Sequence, residues 1–334
     1  MNEEVKKLAV YSRGIVSDEV GKNIVKILGL AASKEGIESQ GFGRYGDSPE
    51  RVFIPTSAFI RVGNDLEQPP YELIDLDVIV VLDDTLLAHN YVLKNSREDA
   101  FVIINTRRKL DSIKKFLYSK KFKGKVALID MKRYVSNSII RKGEFFIGNI
   151  KGELDKFEQD FTVDYAFPPL GAIAKTGIFS KSKILEAVKE LYSKNYKEIE
   201  EIVNSVYNEI EFQSIEIKDN PIADYNLISG INKDHWFLKT RSYKDLPFGL
   251  AIPAVPKGSK NKDYKTFDVR PYRPVIDYNK CTRCELCWIW CPDTAIDYEI
   301  RVDYDYCKGC GICAKACPSK AITMVNEIDA MTRV

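Results

Sequence analysis

The first 150 residues of the chain alternate short apolar runs with segments whose apolar residues recur at helical spacing. Helical spacing is clearest in Asp18–Ser33, whereas the run Asp77–Leu82 is apolar without alternation, as expected of a strand buried on both faces. This pattern predicts an α/β domain on a mostly parallel sheet. The predicted strands are Leu8–Tyr11, Val52–Val62, Val78–Leu82, Phe101–Asn105 and Lys125–Asp130.

Five more segments are predicted to be helical. Two of them, Arg107–Tyr118 and Met131–Arg141, lie beside predicted strands, and three follow Phe167. The three later segments are Pro168–Lys175, Ser180–Tyr192, with Ser180 as a candidate N-cap, and Tyr196–Glu211. We expect these three helices to pack on the sheet, which gives a Rossmann-like parallel-sheet domain over residues 1–212.

Periodicity is lost between residues 213 and 275. This region contains six prolines and the lysine-rich stretch Lys257–Lys265. Such a composition predicts an extended connector. It leads to a smaller C-terminal domain over residues 276–334.

Composition and charge narrow the class of protein. The chain has 334 residues, 45% hydrophobic and 29% charged, which suits a globular protein of two or three domains. Its apolar runs are too short to span a membrane and the Met-Asn-Glu-Glu start has no apolar signal core, so we expect a cytoplasmic protein that does not enter membranes. A net charge of +2 gives no electrostatic case for nucleic-acid binding.

All eight cysteines lie between Cys281 and Cys317. Disulfides of a secreted protein would be spread over the chain, whereas a tight set predicts metal ligation in a reducing compartment. The set is an internal repeat, because each of the first four cysteines recurs 26 residues later and the flanking residues repeat with it.

Each repeat contains the run Cys-x2-Cys-x2-Cys-x3-Cys-Pro, the bacterial ferredoxin spacing for a 4Fe-4S cube in which the fourth cysteine ligates the other cluster. The prediction is a two-cluster ferredoxin-like α+β domain. Cluster one is held by Cys281, Cys284, Cys287 and Cys317, and cluster two by Cys307, Cys310, Cys313 and Cys291. A zinc site is the alternative, but zinc sites usually pair two Cys-x2-Cys halves at a longer separation.

Differences between the repeats predict that the clusters are not equivalent. Arg283 and Glu285 in the first repeat align with Gly309 and Gly311 in the second. Charge and hydrogen bonding near the sulfurs tune the reduction potential of such a cluster. Trp288 and Trp290 either shield the irons from water or serve as ordinary core aromatics.

Two parts of the chain resemble known subunits. Residues 266–277, TFDVRPYRPVID, and the CTRCELCWIWCPDTAI that begins at Cys281 closely resemble the delta subunit of 2-oxoacid:ferredoxin oxidoreductases. The segments Leu76–Leu87, Val102–Thr106 and Pro169–Ile178 resemble the gamma subunit of the same enzymes. The chain is therefore similar to a fused gamma-delta subunit of the pyruvate/oxalate oxidoreductase family.

The resemblance implies a role in a larger complex. In that family, thiamine diphosphate and Mg lie on the alpha and beta catalytic subunits, where the 2-oxoacid is decarboxylated, and the delta clusters relay electrons to external ferredoxin. We therefore expect a hetero-oligomer in which this chain transfers electrons and contributes no catalytic residue of its own.

One segment departs from the family pattern. The gamma subunit has a Gly-Arg-Gly-Gly-Gln-Gly turn after its first strand, where this chain has Ser12-Arg13-Gly14-Ile15-Val16-Ser17. Loss of glycines disfavours a phosphate at that turn. We hypothesise turnover without coenzyme A, with an oxalate-oxidising enzyme as one candidate.

Other candidate residues give weaker signals. His89 and His235 lie in no catalytic motif, Asp83-Asp84 either binds a ligand or caps the next helix, and Gly41–Gly46 is interpreted as a loop facing the catalytic subunits. Two other classes of function stay open. One is a non-enzymatic redox sensor or scaffold, and the other is an independent nucleotide-dependent reductase, which the altered turn disfavours.

Overall fold

A computed structural model describes residues 5–13, 15–44, 55–64, 73–89, 92–93, 95–117, 121–135, 163–218 and 265–332. The chain divides between residues 220 and 221 into two compact units. Each unit has its own hydrophobic core.

The first unit is built on a seven-stranded sheet in the order β2-β3-β1-β4-β5-β7-β8. Its strands are β1 Lys6–Arg13, β2 Ser39–Arg44, β3 Pro55–Val62, β4 Leu76–Val81, β5 Ser96–Asn105, β7 Lys125–Ile129 and β8 Gln213–Ser214. The central strands β1, β4, β5 and β7 are parallel. A separate antiparallel pair is formed by β6 Lys121–Phe122 and β9 Ile217–Lys218.

Four helices cover one face of this sheet and share its core. They are α1 Ile15–Lys34, α3 Phe167–Lys175, α4 Lys181–Leu191 and α5 Tyr196–Glu209. Within the predicted helix Asp18–Ser33, the apolar residues at helical spacing are buried, and so is every residue of β4. In the helix they are Val20, Ile24, Ile27, Leu28 and Ala31. Full burial of one such aliphatic side chain contributes about 1.5–3 kcal/mol. The α/β prediction is therefore confirmed.

The sheet is mixed rather than mostly parallel. Strand β3 is antiparallel to β1, with Ala58 opposite Val10, and β2 is antiparallel to β3. β8 is antiparallel to β7. The prediction was wrong at these edges because alternation of apolar residues reports burial and carries no information about strand direction.

One predicted helix is much shorter in the structure, and the other is described only over its first five residues. Only α2, Leu110–Ile113, and a 3₁₀ turn, Lys114–Phe116, form within Arg107–Tyr118. Met131–Arg133 is likewise a 3₁₀ turn, and residues 136–141 of the second prediction lie outside the described residues. Each short segment buries one or two side chains, too small an apolar face to extend a helix.

Two local predictions also need correction. Ser180 occupies the N-cap position of α4, but its hydroxyl pairs with that of Ser182 at 2.8 Å and makes no capping bond. Gly41–Arg44 belongs to strand β2 rather than to a loop. A Cβ on Gly41 would lie 2.6 Å from Val25 Cγ1, so this glycine allows α1 to pack closely on β2.

Both ends of the predicted connector have regular structure. Gln213–Ser214 pairs with β7, and Tyr272–Ile276 forms β10 of the second unit. Residues 219–264 lie outside the described residues. None of the helices in the described ranges is long and apolar enough to cross a membrane.

The second unit is small and of the α+β type. Strand β10 pairs antiparallel with β11, Ile322–Asn326, so that Pro274 lies opposite Met324. Its short helices are α6 Leu286–Ile289, α7 Ile312–Ala316 and α8 Glu327–Thr332. Cys287 and Cys313 belong to its core, together with only three buried isoleucines. The stability of so small a core depends on what the cysteines bind.

Gly171 should prove essential for the packing of α3 on α5. A Cβ there would lie 2.5 Å from the carbonyl oxygen of Val203 and 2.9 Å from Val206 Cβ. We expect Gly171→Ala to lower the free energy of unfolding of the first unit by about 1–3 kcal/mol, measured by urea denaturation. Gly29→Ala in α1 is the matched control, because its nearest neighbour, Ser39 Oγ, is 3.5 Å away and helix propensity should leave it neutral or more stable by about 1 kcal/mol. Equal stability of the two variants would contradict the packing argument.

Candidate metal centres

The sequence repeat is also a repeat of backbone conformation. The first loop, Cys281–Cys287, has positive φ at Arg283 and Glu285, and the second loop, Cys307–Cys313, has it at Gly309 and Gly311. Helices α6 and α7 begin immediately after the second of these residues in each loop. The two loops therefore wrap their cysteines in the same way.

Each loop lines a cavity that also receives a cysteine from the other repeat. Cavity one is lined by all three cysteines of the first loop and by Cys317. Cavity two is lined by all three cysteines of the second loop and by Cys291. The structure thus brings together the two sets of four cysteines that the sequence predicts.

Main-chain amides point at the sulfurs of the crossing cysteines. The amide of Ala295 donates to Cys291 Sγ at 3.2 Å, and the amide of Ala321, 26 residues later, donates to Cys317 Sγ at 3.3 Å. Burial acts to raise the pKa of Cys317, but hydrogen bonds from Ser319 and neighbouring amides outweigh it, so the pKa is lowered. Such donors stabilise thiolates.

Neighbouring sulfurs affect the pKa of four other thiols. Burial is the main cause of a raised pKa in four thiols, those of Cys287, Cys307, Cys310 and Cys313. The pKa of Cys313 is raised to about 12. Cys291, from the first repeat, adds to this effect on all three thiols of the second loop. A cationic centre in each cavity would hold all four sulfurs as thiolates, so the donor set fits a metal cluster.

The cavities have different polar surroundings. Ser319, whose hydroxyl lies 3.5 Å from Cys317 Sγ, corresponds to Asp293 in the first repeat. Asp293 lines cavity two and pairs with Lys308 at 3.2 Å. The prediction that the two sites are not equivalent therefore has a structural basis.

The tryptophans of the first repeat occupy different environments. Trp288 packs edge-on against Tyr298, with 5.7 Å between ring centroids, and contacts the small core. Trp290 is 60% exposed. The core interpretation suits Trp288, and Trp290 lies at the surface.

Two buried charged residues beside the second loop were not anticipated from the sequence. Arg270 and Glu327 form an ion pair of 2.7 Å, and Arg270 also donates to the carbonyl of Cys307. Arg270 lies in the TFDVRPYRPVID stretch, but its partner is 57 residues away. No local pattern in the sequence predicts such a pair.

Asp83 and Asp84 lie after β4, at the carboxyl edge of the parallel strands. Asp83 accepts hydrogen bonds from the amide and hydroxyl of Thr85, at 2.8 and 2.6 Å, and so caps the 3₁₀ turn Asp84–His89. Burial and then the charge of Asp83 raise the pKa of Asp84, which accepts hydrogen bonds from Thr106 and Arg108. These contacts support the capping interpretation. His235 lies outside the described residues.

The turn after β1 is short. Strand β1 ends at Arg13 and α1 begins at Ile15. The side chain of Arg13 is buried, with Nε 4.0 Å from Asp83 Oδ2, and the hydroxyls of Ser12 and Thr56 are 2.6 Å apart. At the end of β1, Arg13 therefore lies at ion-pair distance from Asp83, and Ser12 is hydrogen-bonded to Thr56 of β3.

Comparison with known proteins assigns the family. Residues 22–206, more than half of the chain, match the family described as Pyruvate ferredoxin/flavodoxin oxidoreductase. The chain belongs to this family. Residues 300–323, which contain the second cysteine loop, match the 4Fe-4S binding domain.

Individual members of the family match different parts of the chain. It is 30% identical over 192 residues to the Pyruvate/ketoisovalerate oxidoreductases common subunit gamma of Thermococcus kodakarensis, covering 53% of this chain and 86% of that subunit. It is 38% identical over 62 residues to Pyruvate synthase subunit PorD of Thermotoga maritima, covering 19% of this chain and 60% of that subunit. The resemblance predicted from sequence motifs is confirmed.

A solved structure also matches. The pyruvate oxidoreductase subunit PORC from Thermotoga maritima covers 64% of this chain and 100% of that chain, with 20% identity and a TM-score of 0.48.

Two glycines of the second loop provide a test of how tightly it is packed. A Cβ on Gly309 would lie 2.2 Å from the carbonyl oxygen of Tyr272 and 2.7 Å from Arg270 Cγ, whereas a Cβ on Gly311 would meet nothing within 4 Å. Both residues have positive φ, so either alanine costs about 1–2 kcal/mol in backbone strain. We expect Gly309→Ala to lower the melting temperature of the anaerobically purified chain clearly more than Gly311→Ala. Equal losses would mean that backbone conformation alone requires glycine at 309.

Proposed function

We propose that this chain is the electron-transfer subunit of a thiamine diphosphate-dependent 2-oxoacid:ferredoxin oxidoreductase and holds two 4Fe-4S clusters. Cys281, Cys284, Cys287 and Cys317 ligate cluster one, and Cys307, Cys310, Cys313 and Cys291 ligate cluster two. The observation that carries the proposal is the crossed lining of the two cavities, each with three sulfurs from one loop and a fourth from the other.

The arrangement of donors favours iron–sulfur cubes over zinc. A zinc site needs four ligands on one ion, with Zn–S distances of about 2.3 Å. Among the described residues, no group of three or more His, Cys, Asp or Glu side chains is gathered closely enough for a single ion. Cysteines spread around a cavity suit ligands that bind different irons of one cube.

The chain's own residues supply the environment of such clusters. When bound, each cluster accepts and releases one electron. The loops hold the thiolates in place, the amides of Ala295 and Ala321 donate to sulfur, and the buried isoleucines around Cys287 and Cys313 limit access of water. Both hydrogen bonding and burial tune the potential of a cluster.

The rest of the reaction is proposed to lie on other chains. Alpha and beta catalytic subunits carry thiamine diphosphate and Mg, decarboxylate the 2-oxoacid and pass electrons to this chain, which reduces external ferredoxin in the cytoplasm. Relatives that are named as subunits of pyruvate and ketoisovalerate oxidoreductases support a hetero-oligomer of this kind.

Purification from native cells under anaerobic conditions tests the assignment. We expect co-purification with thiamine-containing partners and about eight iron atoms and eight labile sulfides per chain, from two cubes. Zinc in place of iron, or the absence of labile sulfide, would refute it. A stable monomer that carries clusters but no partners would favour a redox sensor or scaffold instead.

Single cysteine variants test the crossed ligation. Cys317→Ala is expected to disturb the same cluster as Cys284→Ala, and Cys291→Ala the same cluster as Cys310→Ala, although each pair joins different sequence repeats. Electron paramagnetic resonance of the reduced full chain, with iron analysis, identifies the affected cluster. If Cys317→Ala and Cys310→Ala altered the same signal, ligation would follow the sequence repeat and the crossed assignment would be wrong.

We also propose that the complex completes its turnover without coenzyme A, with an oxalate-oxidising enzyme as one candidate. The support is the turn after β1, where the family's glycines are missing, the buried Arg13 lies 4.0 Å from Asp83 and the hydroxyl of Ser12 is hydrogen-bonded to that of Thr56. Fewer glycine amides are then free to approach a phosphate.

Steady-state assays of the native complex decide this point. Reduction of ferredoxin by a 2-oxoacid, or by oxalate, should proceed at the same rate with and without coenzyme A. Loss of turnover when coenzyme A is left out would overturn this part of the proposal and leave the electron-transfer role intact.

A further inference from the structure

A buried ion-pair network lies beside the second loop. Arg270 is 2% exposed and Glu327 is 1% exposed. Arg270 Nε and Nη2 donate to the two carboxylate oxygens of Glu327 at 2.9 and 2.7 Å. The paired guanidinium outweighs burial and lowers the pKa of Glu327 to about 2, so the carboxylate is ionised at physiological pH.

The same guanidinium is bonded to the backbone that carries the first cysteine of the second loop. Arg270 Nη1 donates to the carbonyl oxygens of Tyr304 and Cys307, at 2.6 and 2.5 Å. The stem of Arg270 also packs where a Cβ on Gly309 would stand. Arg270 therefore contacts this loop through both its charged head and its apolar stem.

The network carries a net positive charge. Arg273 also donates to Glu327 and lies over the Tyr304 ring at 4.4 Å, so two guanidinium groups face one carboxylate. Buried charges interact more strongly than exposed ones because less water screens them. The formal sum of the three residues is +1.

The first loop has no such carboxylate at the corresponding position. The residue 26 places before Glu327 is Arg301, whose side chain is 68% exposed and pairs with Asp297 at 2.8 Å. The ion pair therefore distinguishes the second site from the first.

We propose that Arg270 is a positioning residue that fixes the second loop and raises the reduction potential of cluster two, an inference that rests on the two-cluster function proposed above. Reduction adds one negative charge to a cluster. A buried cation bonded to the backbone of a ligating cysteine stabilises that added charge. Glu327, on the far side of the guanidinium, opposes the effect.

Two variants that change the charge in opposite directions test the proposal. Arg270→Gln removes a positive charge and should shift the midpoint potential of cluster two downwards, whereas Glu327→Gln removes a negative charge and should shift it upwards. Redox titration of the full chain, followed by electron paramagnetic resonance, measures both. The signal of cluster two is the one that Cys310→Ala abolishes or alters, and the signal of cluster one should stay in place.

Conservative and control variants separate charge from packing. Arg270→Lys keeps the charge but loses the two-pronged bond, so the potential should stay near that of the wild type even if the melting temperature falls. Arg301→Gln removes an exposed arginine of the same unit and should change neither potential. If Arg270→Gln does not retain its iron, the potentials of cluster two in Arg270→Lys and Glu327→Gln still test the effect of charge.

The outcomes distinguish this inference from the function on which it rests. Absence of iron and labile sulfide in the wild-type chain would refute the two-cluster function itself. Both clusters could instead be intact while the potential of cluster two is unchanged in Arg270→Gln and Glu327→Gln, or moves in the same direction in both. That result would overturn the role of Arg270 and leave the two-cluster function intact.

Discussion

Crowding of cysteine sulfurs is the constraint on which the second unit depends. Burial raises the pKa of four of the eight thiols, those of Cys287, Cys307, Cys310 and Cys313, and the neighbouring sulfurs reinforce it. The core around Cys287 and Cys313 has three buried isoleucines and several partly buried apolar side chains around them, so it supplies little apolar burial to stabilise the unit. The proposed clusters would stabilise the unit, because ligation both holds the sulfurs as thiolates and joins the loops that carry them.

Crossing makes the two repeats depend on each other. Since Cys317 lines the cavity of the first loop and Cys291 that of the second, neither cavity is complete within one repeat. The loops are unequal in backbone strain, because Arg283 and Glu285 adopt the left-handed conformation that Gly309 and Gly311 adopt freely. Each non-glycine residue there costs about 1–2 kcal/mol.

The sequence predicts best what depends on spacing along one segment. Such spacing predicts the buried positions of α1 and the central strand β4. The crossed cysteine sets that it also predicts line the two cavities. It fails for features that depend on distant partners. The antiparallel direction of β3 appears only in its pairing with β1. The glycines of β2 do not suggest a strand in the sequence, although β2 is one and packs against α1.

Arg270 shows the same limit at the candidate site and explains why the asymmetry between the loops was only partly predictable. Alignment of the repeats shows that Gly309 takes the place of Arg283. The electrostatic difference between the two sites, however, comes from the ion pair of Arg270 and Glu327, which are 57 residues apart. Gly309 links the two observations, because its missing side chain leaves the space that the stem of Arg270 fills. Two similar loops have thus kept one backbone geometry for binding while their surroundings diverged. These unequal surroundings would give the two proposed clusters different reduction potentials.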